Sequence, residues 1–253
     1  MDYVLGVLFF LFGLAMGSFL CVCIDRLPGN KSIVRPPSCC EACGHKLSLL
    51  DLVPVLSYLL LRGRCRYCGA KIPYTVLLVE LATGLLFLLF WYHYGLSRQF
   101  AFSLIYASFF VVIFFIDIKH YLVLNKVIYP AIVIALIITA ATQYHDIEVP
   151  LLGGLIGGAI PFLIALVVPG GMGMGDVKLG VFIGIIVGYP QVFLFWIISV
   201  ILGGFFGIGL LLAKKKGRKE AIPFAPFMVT GGIITMIYGT RWIHFFLGSV
   251  GYF

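Results

Sequence analysis

A single acid stands among glycines in the stretch Gly171-Met172-Gly173-Met174-Gly175-Asp176-Val177-Lys178, which separates two apolar runs. A second acid, Asp117, closes an earlier apolar run that extends from Phe109 to Ile116. A carboxylate at the end of a membrane helix is costly to hold there, so each acid is a candidate functional residue. Two carboxylates at one membrane depth would indicate aspartyl chemistry.

The composition is that of a polytopic membrane protein. Of 253 residues, 62% are hydrophobic and 11% are charged, whereas a soluble domain is about half apolar and about a quarter charged. The first apolar run lacks a basic n-region, which predicts a retained helix rather than a cleaved signal peptide. The sixth run is short for a span, so we expect it to be tilted, re-entrant or continuous with Tyr189-Pro190. We place eight spans at 3–24, 74–94, 98–118, 123–142, 149–169, 176–188, 190–213 and 225–247.

Basic residues orient these spans. All of the 18 Lys and Arg residues except Arg98 and Arg241 fall in loops on one side. They lie in the loop 25–73, at Lys119, Lys126 and Lys178, and in the run 214–219. The positive-inside rule therefore places these loops in the cytoplasm and both termini outside. The net charge of +8 is explained by the orientation of the spans and by attraction to anionic lipid headgroups. We therefore predict contact with membrane lipid and no nucleic-acid partner.

This topology brings Asp117 and Asp176 to the same side. Asp117 ends an inward span and Asp176 begins an outward one, so both lie near the cytoplasmic boundary. Two carboxylates in contact do not both ionise easily, so they share a proton and divide the roles of acid and base. The structural alternatives are an ion pair of Asp117 with Lys119 or Lys126, and helix capping by Asp176.

Three neighbours of Asp176 are candidates for substrate approach. Gly173 and Gly175 let a substrate backbone come close. Lys178 is near enough in sequence to act on a carboxylate or to reach lipid headgroups. A further acid, Glu80, begins the motif Glu80-Leu81-Ala82-Thr83-Gly84 near the cytoplasmic end of the second apolar run, and we expect it to pair with a basic loop residue.

The loop 25–73 carries two Cys-x-x-Cys-Gly motifs, formed by Cys40 with Cys43 and by Cys65 with Cys68. Four thiolates at this spacing match a tetrahedral structural zinc site. So short a loop has little apolar core, and a bound metal would supply folding free energy that packing does not. The alternatives are free thiols, a redox-active pair, and disulfides, which a reducing cytoplasm disfavours. Cys39 adjoins Cys40 and competes with it as a ligand, but the spacing favours Cys40.

Motifs along nearly the whole chain match one known family. They are Gly17-Ser18-Phe19-Leu20, Arg26-Leu27-Pro28, the two cysteine motifs, Pro54-Val55-Leu56-Ser57-Tyr58, Leu61-Arg62-Gly63-Arg64-Cys65-Arg66, Glu80-Leu81-Ala82-Thr83-Gly84, Asp117-Ile118, Gly173-Met174-Gly175-Asp176-Val177-Lys178-Leu179 and Ile222-Pro223-Phe224-Ala225-Pro226-Phe227. The chain resembles the bacterial type IV prepilin peptidases, membrane aspartyl proteases of the GxGD type that are often also N-methyltransferases. GxGD alone is a weak signal, but joined to this cysteine loop and an upstream membrane aspartate it is specific.

The resemblance implies an all-helical enzyme of the cytoplasmic (inner) membrane, with Asp117 and Asp176 as its catalytic pair. Its implied substrates are prepilins or pseudopilins of type IV pilus, type II secretion or competence systems, cleaved after a short basic leader on the cytoplasmic side. S-adenosylmethionine would then methylate the new N-terminus, and we look for that chemistry in the region around Gly63. We accordingly predict a first membrane helix at 1–24, a zinc loop domain associated with methyl transfer at 25–73 and a membrane peptidase domain at 74–253.

Three positions depart from the family pattern. Cys21 stands where Asn is common, Glu41 where Pro is frequent, and Ala225 where Gly is usual. We expect none of them to touch the two acids.

Rival classes fit part of this pattern. A presenilin-like GxGD protease that cuts within membrane helices would not need the cysteine loop. A thiol redox protein would use the cysteines, but on the oxidising side of the membrane. A non-enzymatic, proton-coupled transporter would use the two aspartates as a relay.

Overall fold

The regular structure of this chain is helical, as predicted. A computed structural model describes residues 2–142, 146–168, 171–213 and 222–248; the basic run 214–219 lies outside these ranges. A 3₁₀ turn spans Leu49–Leu52, and two isolated antiparallel bridges are the sole β pairing within the described ranges. The helices are α1 (Asp2–Arg26), α2 (Leu56–Leu60), α3 (Tyr74–Tyr94), α4 (Arg98–His120), α5 (Asn125–Thr142), α6 (Glu148–Val167), α7 (Met174–Val187), α8 (Gln191–Leu212) and α9 (Ala225–Gly248).

All eight predicted apolar segments are helical. Over the described residues, six helices are long and apolar enough to cross a membrane, namely α1, α3, α4, α5, α6 and α8. A multi-pass helical membrane protein is therefore confirmed, while eight full spans stay a prediction.

Helix α7 is short because glycine ends it. Its 14 residues measure about 21 Å at 1.5 Å per residue, less than the roughly 30 Å of a hydrocarbon core. Gly188 follows with φ +73, a left-handed conformation that stops the helix. Continuity with Tyr189-Pro190, one of the predicted alternatives, is thus wrong.

The chain forms two compact units, Met1–Phe115 and Ile116–Phe253. In the first, α1 packs closely on α3 through small residues. A Cβ on Gly13 would lie 2.8 Å from Cα of Gly84, and one on Gly17 would lie 2.7 Å from Cα of Glu80. Gly13 and Gly17 form the G-x-x-x-G spacing that lets membrane helices approach.

In the second unit, glycines bring α6 and α7 into backbone contact. A Cβ on Gly157 would meet the carbonyl oxygen of Gly180, and one on Gly153 would meet that of Gly184. These contacts fix α7 against α6, and they therefore fix the first turn of α7, where Asp176 lies.

Replacing Gly157 by Ala is expected to destabilise this unit. The added methyl meets backbone that cannot move away cheaply, and overpacking of this kind costs about 1–3 kcal/mol or more. The matched control is Gly204→Ala on α8, where a Cβ has no neighbour within 4 Å. Thermal unfolding in nanodiscs should show a lower midpoint for Gly157→Ala only; equal midpoints would contradict the close α6–α7 contact.

Candidate functional site

Asp117 lies near the carboxyl end of α4 and is buried, with 5% of the residue exposed. Its Oδ2 accepts a hydrogen bond from the backbone N–H of Ala225 at 3.1 Å. The expectation that no departure from the family pattern touches the two acids is therefore wrong for Ala225, although the contact is made by its backbone rather than its side chain. Ala225 is the first residue of α9, so this N–H is one of the donors that a helix leaves free at its amino end. A carboxylate there is stabilised by the positive end of the helix dipole.

Asp176 lies in the first turn of α7. Its Oδ2 accepts a hydrogen bond from the backbone N–H of Gly173 at 3.1 Å, and Gly173 is the N-cap residue. Asp176 is therefore the third residue of the helix rather than its N-cap, although its carboxylate does cap the helix. Both acids thus occupy the amino-terminal end of a helix, Asp117 at α9 and Asp176 at α7.

The second unit brings the two acids together. Asp117 is bonded to the start of α9, and Gly175, the residue before Asp176, packs against Val123 in the turn that follows α4. The two acids therefore lie in the same region of this unit, although they come from different helices and are far apart in sequence. Of the predicted alternatives, capping by Asp176 is present and compatible with this pairing. The hydrogen bond of Asp117 to Ala225 shows that its carboxylate is directed at the start of α9.

The glycines and the lysine beside Asp176 have structural partners. A Cβ on Gly175 would lie 2.9 Å from Cβ of Val123, so Gly175 lets α7 pack against the turn that follows α4. Lys178 Nζ donates to Asn125 Oδ1 at 2.7 Å and lies 4.9 Å from the ring centre of Tyr129. Lys178 thereby ties α7 to α5, and its part in substrate approach, like that of the two glycines, stays a prediction.

In the first unit, the thiols of Cys40, Cys43, Cys65 and Cys68 form one cluster. Their four sulfur atoms lie within 4.8 Å of one another, and the sulfurs of Cys40 and Cys68 are 3.8 Å apart. Zn–S bonds of about 2.3 Å in a tetrahedron require sulfur separations of about 3.8 Å. The four cysteines therefore fit a zinc ion, and none of the chain's cysteines is in a disulfide.

The two cysteine motifs fold as matching turns. Gly44 and Gly69 adopt φ +70 and +71, and their N–H groups donate to the carbonyl oxygens of Cys40 and Cys65 at 2.8 and 2.9 Å. Only glycine takes this conformation without strain. Cys39 lies outside the cluster and pairs with Lys46 in a β bridge.

Backbone hydrogen bonds prepare one thiol of the cluster for metal binding. The N–H groups of Cys43 and Ala42 hydrogen-bond Cys40 and lower the pKa of its thiol to about 7. Since the thiolate is the form that binds metal, Cys40 is close to ligand form at neutral pH.

A carboxylate holds the second cysteine turn to the rest of the loop. Asp51 accepts from Arg66 Nε at 2.7 Å and from the Tyr67 hydroxyl at 3.1 Å. Both residues lie between Cys65 and Cys68. Hydrogen bonds from Ser48, Arg66 and Tyr67 lower the pKa of Asp51 to about 2. This lowered pKa adds stability above the ordinary value of 3.8, and that stability is lost only as the pH falls toward 2.

Asp51→Asn is expected to weaken metal retention by roughly 10-fold, the lower end of the effect of losing a residue that orients metal ligands. The reason is that Arg66 and Tyr67 lose their charged acceptor. The matched control is Glu41→Gln, an exposed acid within the first cysteine motif. Chelator competition on the full chain between pH 6 and 8 measures both. Equal retention would contradict the positioning role of Asp51.

Gly63 lies in a tight turn beside this cluster. Its φ is +65, and a Cβ would lie 3.0 Å from the ring of Tyr58. These contacts explain the glycine by packing, and a contact of this region with S-adenosylmethionine stays a prediction.

Glu80 has a different partner from the one expected. It is buried in α3, and its Oε2 accepts a hydrogen bond from the backbone N–H of Val55 at 2.8 Å. Ser18 of α1 also hydrogen-bonds to it. The expected pairing with a basic side chain is replaced by a bond to loop backbone, which sequence alone does not reveal. Cys21, also of α1, approaches the carbonyl oxygen of Val76 at 3.7 Å.

An apolar cavity of about 810 Å³ lies between α8 and α9, lined by residues such as Phe193, Ile197 and Trp242. Among the side chains that the structure describes, no acid or histidine lines it. Trp242 is about 25 Å along α9 from Ala225 at 1.5 Å per residue. The cavity is therefore separate from the two acids.

Comparison with known proteins bears on both units. The model of the Bacterial Peptidase A24 N-terminal domain matches residues 11–94, which include the cysteine cluster. The model of the Type IV leader peptidase family matches residues 104–208, which include both acids. A Bacillus subtilis protein named Prepilin leader peptidase/N-methyltransferase is 30% identical over 245 residues, 94% of this chain and 96% of its own length. The chain belongs to the prepilin peptidase family.

Other members of the prepilin peptidase family agree with this assignment. A protein of the same name from Aeromonas hydrophila is 30% identical and covers 93% of this chain and 92% of its own length. One from Myxococcus xanthus is 37% identical over 152 residues, 60% of this chain and 45% of that protein. No solved structure matches the chain.

Proposed function

We propose that this chain cleaves the short basic leader from prepilins or pseudopilins at the cytoplasmic face of the inner membrane, and then methylates the new N-terminus. The proposal is supported by the placement of Asp117 and Asp176, which lie in one compact unit and each accept a hydrogen bond from the amino-terminal end of a helix. Family membership supports the substrate class, because the relatives are named for prepilin leaders and N-methylation.

Cleavage by this pair needs one ionised and one protonated carboxyl group. The carboxylate takes a proton from a water molecule, whose oxygen attacks the scissile carbonyl carbon. The protonated partner gives its proton to the amide nitrogen as the C–N bond breaks, so protons balance over the cycle. The N–H groups of Ala225 and Gly173 each bind one oxygen of an acid and so orient the carboxyl groups.

The depth of the pair suits a substrate that stays in the membrane. A prepilin whose apolar helix remains in the bilayer presents its scissile bond near the surface. The basic loops favour a cytoplasmic site, with both chain termini outside.

The cysteine cluster supports a structural role for zinc in this function. Cys40, Cys43, Cys65 and Cys68 would hold the ion, which would supply folding free energy to the loop. S-adenosylmethionine, when bound, supplies the methyl group. We assign methyl transfer to the loop 25–73 and peptidase chemistry to residues 74–253. Residues 1–24 form the first membrane helix.

The test is a reaction of the purified chain in nanodiscs with a prepilin, with and without S-adenosylmethionine. N-terminal sequencing should show leader loss in both cases and a methylated first residue only with S-adenosylmethionine. A chain that never cleaves, yet carries protons across vesicles in a way that depends on the two acids, would instead be the transporter of the rival hypothesis.

A further inference from the structure

The loop between α1 and α3 exposes leucines that no part of its own unit covers. Leu56, Leu59 and Leu60 of α2 are 59%, 58% and 82% exposed. Their i, i+3 and i+4 spacing places them on one face of the helix. Tyr58, on another face, is half-buried and packs over Gly63. The adjacent 3₁₀ turn adds two more exposed leucines, Leu49 and Leu50.

A hydrogen bond fixes the depth of α2. Val55 is its N-cap residue, and the Val55 N–H is bonded to Glu80. Glu80 lies in the second turn of α3, about 9 Å from the start of that helix at 1.5 Å per residue. The 21 residues of α3 measure about 31 Å, so a span of about 30 Å needs the whole helix. The amino end of α2 is therefore held just inside the hydrocarbon boundary, at a depth of up to about 9 Å, rather than in bulk water.

The backbone conformation of Val55, whose N–H makes this hydrogen bond, is otherwise unfavourable. Val55 adopts φ +62, a conformation that a β-branched residue rarely takes. Such a conformation persists only where its surroundings enforce it. The buried carboxylate of Glu80 provides that constraint.

The charges beside α2 match a phospholipid surface. Arg62 and Arg64 follow the helix and are both exposed, next to the exposed leucines. Leucines at the hydrocarbon boundary with arginines beside them are the pattern of a segment that lies in the membrane interface. Anionic headgroups attract such arginines.

We propose that α2 docks Leu56, Leu59 and Leu60 into the interface of the phospholipid bilayer, held at that depth by the Val55–Glu80 hydrogen bond. Because Cys65 follows α2 closely, this anchor holds the cysteine cluster at the membrane surface. The occupant of the leucine face is lipid, rather than a partner protein.

Tryptophan fluorescence of the full chain in nanodiscs tests this docking. Leu60→Trp adds a probe to the leucine face, and Glu41→Trp adds a control probe to an exposed position in the first cysteine motif. The three native tryptophans are subtracted with the parent chain. Brominated phospholipids should quench the Leu60→Trp probe, at a depth of roughly 5–10 Å, and leave the Glu41→Trp probe unquenched. Equal quenching at the two positions would overturn the proposal.

Loss of bound metal would reveal that Leu60→Trp does not fold. In that case Leu50→Trp provides a second probe on the adjacent exposed leucines. Protection from a water-soluble quencher that arises only when prepilin is added would identify a protein partner, and would also overturn the proposal.

The role of Glu80 is tested in the Leu60→Trp background. Glu80→Gln keeps a carbonyl oxygen for the Val55 N–H and should preserve quenching by brominated lipid. Glu80→Ala removes the acceptor, and quenching should fall toward that of the Glu41 control. Unchanged quenching in Glu80→Ala would show that this hydrogen bond does not set the depth of α2.

Discussion

Asp117→Asn and Asp176→Asn should each lower the rate of prepilin cleavage by about 10²–10⁴-fold, the usual contribution of a general acid or base. Asparagine keeps the size of the side chain and can still accept the hydrogen bonds from Ala225 and Gly173. It can neither take a proton from water nor give one to the leaving nitrogen. Initial rates with purified protein in nanodiscs measure the effect.

The control for these variants is Asp146→Asn, which removes an exposed acid of the same unit and should leave the rate unchanged. Because the two acids act together in the same chemical step, the double variant should be little slower than either single variant. Losses that multiply in the double variant would show that the two acids act independently.

Replacing Cys43 by Ser should release the metal and disorder the loop around it. Bound zinc contributes on the order of 10 kcal/mol to the folding of small zinc domains, and three remaining thiols leave the tetrahedral site incomplete. Zinc content, measured by elemental mass spectrometry, should fall from about one ion per chain to near zero. Methylation should be lost while cleavage persists, because the two acids belong to the other compact unit.

The matched control is Cys39→Ser. This exposed thiol adjoins Cys40 but lies outside the cluster, so the variant should keep its zinc. Loss of zinc from Cys39→Ser, or full zinc in Cys43→Ser, would contradict the assignment of the four ligands.

The membrane helices were predictable because long apolar runs report them directly. The segment predicted at 74–94 matches α3, Tyr74–Tyr94. The end of α7 agrees with the predicted boundary at 188. Hydropathy still left open whether the run continued into Tyr189-Pro190, because the left-handed turn at Gly188 has no signature in hydropathy. The short helix α2 was also missed, since five residues give too little periodicity to identify it.

The residues of the site could be predicted from the sequence, but the hydrogen bonds that they make could not. Asp117, Asp176 and the cysteines stand out because their residue types are unusual in their surroundings. The N–H of Ala225 does not, because every residue but proline offers one. Its position at the start of a helix was the available signal, yet its pairing with Asp117 depends on tertiary packing across distant sequence. The bond between Val55 and Glu80 was hidden for the same reason.

The central claim is that Asp117 and Asp176 together cleave the leader. The most direct test is the intact mass of a prepilin after incubation with S-adenosylmethionine and each of three proteins: the native chain, Asp117→Asn and Cys43→Ser. We expect a cleaved and methylated product, an uncleaved substrate, and a cleaved but unmethylated product, respectively. Cleaved product formed by Asp117→Asn at the native rate would contradict the account.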